Sequence, residues 1–186
     1  MKSKIKANYK ILLIALGIIL AIVLGIISNY NRKNATVYYK TYTKENGWTR
    51  YSKNGKTNGK DNDIKAIQFD VKYQNSGFVV SKILVNGVWS ENVFSDEVNG
   101  NKEKNITAIK LALTDNLYHK NNICYRVHNS KNKWLGWACN GQEAGTIDTA
   151  IDKIEVKILS KDKKYTEELK DYDSKIKSYI ENIEEW

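Results

Sequence analysis

The stretch that decides the fold is Tyr39–Gly59, YKTYTKENGWTRYSKNGKTNG, because its spacing returns twice further along the chain. Tyr39, Trp48 and Gly59 are matched by Val80, Trp89 and Gly100 and then by Tyr125, Trp134 and Gly145. Each copy ends in one apolar ladder: Ile64, Ile67, Phe69, Val71; Ile106, Ile109, Leu111, Leu113; Ile151, Ile154, Val156, Ile158. Self-similarity at this period marks a repeat architecture. The repeats run over about 36–75, 76–116 and 120–159 within a domain spanning 34–160. The extra residues before the third copy fall in the polar stretch Thr114–Asn122, where a longer loop costs little entropy.

The ladders alternate with Gln68, Asp70 and Lys72 or their counterparts, as in a strand with one wet face. Around each tryptophan the chain is rich in Tyr, Thr and Val. It is punctuated by Asn-Gly pairs at Asn46-Gly47, Asn54-Gly55, Asn58-Gly59, Asn86-Gly87, Asn99-Gly100 and Asn140-Gly141, which are read as turns. About three strands per repeat follow. A unit of about 40 residues has too little interior to stand alone, so the ladders must cover one another. The expected fold is all-β: a pseudo-threefold closed domain of β-prism or β-trefoil type, with an open array of modules as the alternative. Closure is preferred because it removes open sheet edges.

The motifs of the first copy, Tyr39, Thr41, Asn46, Gly47, Trp48, Gly55, Gly59, Ala66 and Ile67, resemble the clostridial hydrophobic W repeat, and the third copy keeps Tyr125, His128, Trp134, Gly141, Gly145 and Ile154. The second is the most diverged, with Val88 before Trp89 and Asp96 where the first has Gly55. The resemblance covers about two thirds of the chain. It implies a surface or secreted protein of a clostridium-like, Gram-positive bacterium with a binding or adhesion role, and it supplies no catalytic residues.

Flanking segments complete the plan. Residues 1–33 hold an uncharged apolar run, Ile11–Ile27, preceded by Lys2, Lys4, Lys6 and Lys10. As a helix it measures about 26 Å at about 1.5 Å per residue, close to a hydrocarbon core. The lysine excess keeps the amino terminus inside. A transmembrane anchor is the expectation and a cleaved signal peptide, giving a secreted product, the alternative; both put the repeats outside the cytoplasm. Residues 161–186 carry Tyr165, Leu169, Tyr172, Ile176, Tyr179, Ile183 and Trp186 at heptad spacing, an amphipathic helix with a stripe to bury. Its expected contact is the β domain, a second copy of the chain in self-association, or the membrane.

The net charge of +9 includes six charges from Lys2, Lys4, Lys6, Lys10, Arg32 and Lys33, which leaves a mild basic bias on the exported part and argues against a nucleic-acid protein. Cys124 and Cys139 are the only cysteines. A hairpin between them would set them opposite each other, as a disulfide or as two small buried thiols. His119 and His128 match no metal or triad pattern, so no enzyme, metal or cofactor is expected. Candidate ligand contacts are Trp48 and Trp134, with Tyr51 and Trp137 three positions later. Stacking on a sugar ring is one role; filling the core beneath each hairpin is the other. The expected function is thus a membrane-anchored extracellular module that binds wall or exogenous glycan, or a surface protein, through repeated aromatics. The alternative is an assembly protein whose repeats are scaffold.

Overall fold

The computed structural model describes residues 13–26, 35–72, 76–131 and 133–161. It divides into two compact units, Met1–Asn34 and Ala35–Trp186. In the first, residues 13–26 form helix α1. At about 1.5 Å per residue it is about 21 Å long, and no helix among the described residues is long and apolar enough to cross a membrane. The ends of the expected Ile11–Ile27 span, and the whole of the expected helix over 161–186 beyond Lys161, lie outside the described residues.

Among the described residues the second unit is β throughout apart from one short helix. Each repeat contributes five strands rather than three, two long and three of two residues. The first repeat has β1 (Thr36–Thr43), β2 (Gly47–Trp48), β3 (Ser52–Lys53), β4 (Asn58–Gly59) and β5 (Ala66–Lys72). The second has β6 (Val79–Val85), β7 (Val88–Trp89), β8 (Val93–Phe94), β9 (Val98–Asn99) and β10 (Ala108–Leu113). Helix α2 (Asp115–Lys120) occupies the polar stretch expected as a loop, with Leu117 buried. The third repeat follows with β11 (Asn121–Asn129), β12 (Lys133–Trp134), β13 (Ala138–Cys139), β14 (Ala144–Gly145) and β15 (Ile151–Ser160).

These strands make three antiparallel sheets. In each, the two long strands of one repeat pair with each other, and that repeat's first two short strands line one edge. The fourth strand of another repeat adds to the opposite edge: β9 on β5, β14 on β10, and β4 on β15. No sheet closes on itself, which departs from the expected closed form. The repeats interlock by exchange of these two-residue strands and by three backbone hydrogen bonds that run in a cycle. Ile64 N–H donates to Ile151 O, Ile151 N–H to Ile106 O and Ile106 N–H to Ile64 O, at 2.8–2.9 Å. The inward faces of the long strands, including Val37, Tyr39, Ile67, Phe69, Ile109 and Val156, form one shared core.

Two sequence readings are corrected here. Asn58-Gly59 is not a turn but the exchanged strand β4, and Asn99 closes the exchanged strand β9 with Gly100 just beyond it, whereas Asn54-Gly55, Asn86-Gly87 and Asn140-Gly141 do turn. The counterpart of Tyr39 and Tyr125 in the second repeat is Ser81, not Val80. Tyr39 lies across from Phe69, Ser81 from Leu111 and Tyr125 from Val156. The first hairpin of the second repeat is one residue shorter, turning at Asn86-Gly87 with both φ angles positive, so counting back from Trp89 misplaces the strand by one. A slip of one residue exchanges the two faces of a strand.

Candidate functional site

Strand alternation fixes which side chains leave the core. On β1 the residues Val37, Tyr39, Thr41 and Thr43 are buried, so Tyr38, Lys40 and Tyr42 face outward. Trp48 on β2 lies across from Tyr42, and their rings meet edge to face at 5.6 Å. The Lys40 ammonium sits 4.7 Å from the centre of the Trp48 ring and 4.9 Å from that of Tyr51. Lys102 from the second repeat reaches the same cluster, 5.4 Å from Tyr42 and 5.8 Å from Trp48. Tyr51 keeps 46% of its surface exposed. Burial, with the nearby Asp70 and Asp96 carboxylates, raises its hydroxyl above the usual tyrosine range. Burial and the Asp70 carboxylate likewise hold Asp96 protonated to higher pH than an ordinary aspartate.

The third repeat repeats the plan with different chemistry. Trp134 lies across from His128 at 5.4 Å between rings. The Arg126 guanidinium is 4.7 Å from Trp134 and 4.8 Å from Trp137. It also meets Glu155 at 2.9 Å, and Glu155 accepts a hydrogen bond from Thr57 of the first repeat at 2.6 Å. His128 Nδ1 lies 2.5 Å from Asp152 Oδ1. Trp137 is 2% exposed, under Lys157 and against the Cys124–Cys139 disulfide, which is formed between residues directly opposite on β11 and β13.

In the second repeat Trp89 lies across from Leu84, with the Lys110 ammonium 4.1 Å from its ring. Beside it opens a cleft of about 330 Å³ lined by Val85, Val88, Trp89, Ser90, Asn99 and Lys104 among others. The repeat whose pattern is most eroded therefore carries this cleft.

The structure thus brings Trp48 and Tyr51 together around one cation and Trp134 and Trp137 around another, but only Tyr51 of the four is exposed; Trp48 and Trp134 are half-buried. The cations were missed from sequence. Lys40, Lys82 and Arg126 occupy one repeat position, which the misplaced register of the second copy hid. With both cysteines in the disulfide, no free thiol is present. Among the described residues no group of three or more His, Cys, Asp or Glu side chains is arranged to hold a metal ion. Compared with protein-family models, with curated proteins and with solved structures, the chain matches none of the three.

Proposed function

We propose that the chain is a membrane-anchored extracellular binding or adhesion module, of the clostridial hydrophobic W type, recognising a glycan or a surface protein through its repeated aromatic positions. The observation that carries this reading is the outward cluster of Tyr42, Trp48 and Tyr51 around Lys40, in which the half-exposed Tyr51 ring offers an apolar face next to a cation. Such a surface fits a sugar ring bearing, or adjoining, a negative group. The disulfide supports placement outside the cytoplasm, where such bonds persist. The finer fold reading, a pseudo-threefold domain of prism or trefoil type, is supported by the cyclic order of exchanged strands and by the Ile64–Ile151–Ile106 hydrogen-bond cycle.

An array of wall fragments and polysaccharides probed with the full chain tests the function. Trp48→Ala should weaken binding to any array hit by about 1–3 kcal/mol, the range of a lost aromatic anchor, with little change in Tm. Loss of folding in the Trp48 and Trp134 variants together with an empty array would overturn it.

A second reading, scaffold for assembly at the membrane, is favoured by one specific observation: a lysine or arginine already lies over each of Trp48, Trp89 and Trp134. On that reading the cation and indole satisfy each other, and alanine at any of the three lowers stability without touching binding.

A further inference from the structure

The three repeats act as controls for one another at a single outward position. Lys40 lies across from Gln68 and beneath Trp48 and Tyr51. Arg126 lies across from Glu155, ion-paired to it, and between Trp134 and Trp137. In the second repeat Lys82 lies across from Lys110. The residue matching Tyr51 and Trp137 there is Asn92, and the one matching Asp70 and Lys157 is Ala112. Two large or charged side chains are thus replaced by small ones, and a cleft of about 190 Å³ opens over Val80, Lys82, Asn92, Lys110, Ala112 and the backbone of Gly141 from the third repeat, among others.

Like charges directly opposite in an antiparallel pair are destabilising. Lys110 offsets this by lying over Trp89 at 4.1 Å and 3.7 Å from Glu143. Lys82 has no carboxylate and no aromatic ring as a partner among the described residues. A cation kept against a second cation, in a cleft emptied of the aromatic ring that covers each of its counterparts, is the arrangement an anionic guest completes.

We propose that this cleft is an anion subsite that takes one carboxylate or phosphate carried on a single saccharide unit. The oxyanion bridges Lys82 and Lys110, Asn92 supplies an amide to a hydroxyl, and Val80 and Ala112 underlie the apolar side of the ring. The volume falls below the roughly 300–1,000 Å³ of sites for drug-sized ligands, so the subsite holds one unit and not an extended chain. It goes beyond the aromatic reading, because a free anion tests Lys82 whether or not Trp48 engages a sugar.

The experiment is calorimetric titration of the full chain with glucuronate, inorganic phosphate and neutral glucose. Saturable binding of one or both anions is expected, weaker at high salt, with glucose silent; the anion preferred tells a carboxylate site from a phosphate site. Lys82→Ala should weaken binding at least tenfold, and Asn92→Trp, which fills the cleft as Trp137 does in the third repeat, should abolish it. Lys104→Ala removes the same charge from the other cleft and should leave binding unchanged. No saturable binding of either anion overturns the proposal, as does equal weakening by Lys82→Ala and Lys104→Ala, since that would reflect net charge alone. Circular dichroism confirms that each variant is folded, and Asn92→Trp supplies the test should Lys82→Ala not fold.

Discussion

Gly59 shows how a single residue holds two repeats together. Its φ is +123°, and a Cβ placed there would lie 2.1 Å from the Asp152 carbonyl oxygen and 2.7 Å from Lys153 Cα. Gly100 and Gly145 meet the backbone at Ala66 and Ala108 in the same way. The glycine of the repeat signature is therefore required by the exchange of strands, where no side chain fits between two backbones. Gly59→Ala should cost about 3 kcal/mol or more, because backbone cannot yield as a flexible side chain can. Gly47→Ala, at φ +66° with nothing within 4 Å of the added carbon, should cost only about 1 kcal/mol of conformational strain. Urea unfolding of the two variants separates crowding from conformation. Tyr39 binds the same junction through its hydroxyl, which donates to the Lys56 carbonyl and accepts from Val156 N–H of the third repeat at 3.1 Å. Burial pushes that hydroxyl up to about 12 from its ordinary 10. Because the folded value is raised, the unfolded chain releases its proton first, so the contribution of Tyr39 to stability is constant below about pH 10 and falls between about 10 and 12. Tyr39→Phe should flatten that part of the profile by an amount on the order of 2 kcal/mol, read from denaturant midpoints against pH.

Among the elements, the third repeat is fastened by a different device from the first two, and the device predicts the cost of losing it. In the first repeat Asn58, buried on β4, accepts from the Thr41 and Thr49 hydroxyls at 2.7 Å, and its amide faces the Tyr39 and Arg50 carbonyls. In the second, Asn99 donates to the carbonyl and the hydroxyl of Ser81. The third has Ala144 at that place and the disulfide between β11 and β13 in compensation. Replacing both Cys124 and Cys139 by alanine should therefore destabilise the chain by about 3 kcal/mol, the chain-entropy value for a loop of about this length, and chemical reduction should do the same. The sequence carried the period of the ladders, the glycines and the place of each tryptophan, because a two-residue alternation and a fixed spacing survive divergence. It did not carry the two-residue strands, since Asn58-Gly59 looks like any Asn-Gly turn until the chain segment it pairs with is known. The candidate site was half legible for the same reason. Trp48, Tyr51, Trp134 and Trp137 stand out by residue type, whereas Lys40 and Arg126 look like ordinary solvated charges until folding sets them over the rings.

At the scale of the molecule, the order of exchange decides whether the repeats are separable. Strand β9 completes the edge of β5, β14 that of β10 and β4 that of β15, so every repeat both lends a strand and receives one. A linear array would leave its first and last members unpartnered, yet here the first repeat lends β4 to the third, across about 90 residues of chain. The burial of Ile64, Ile106 and Ile151, each fully enclosed and each joined to the next by a backbone hydrogen bond, adds a centre that needs all three. Removing the second repeat, residues 76–116, takes β9 from β5, β10 from β14 and Ile106 from that cycle, exposing unpaired backbone groups and apolar core at both junctions at once. The shortened chain should lose cooperative thermal unfolding altogether, where an array of independent modules would keep about two thirds of its transition enthalpy. Calorimetry with far-ultraviolet circular dichroism reads the difference: a two-repeat chain that melts in one sharp transition with native-like sheet content would show that the interlocking strands are dispensable, and the pseudo-threefold reading would fall with them.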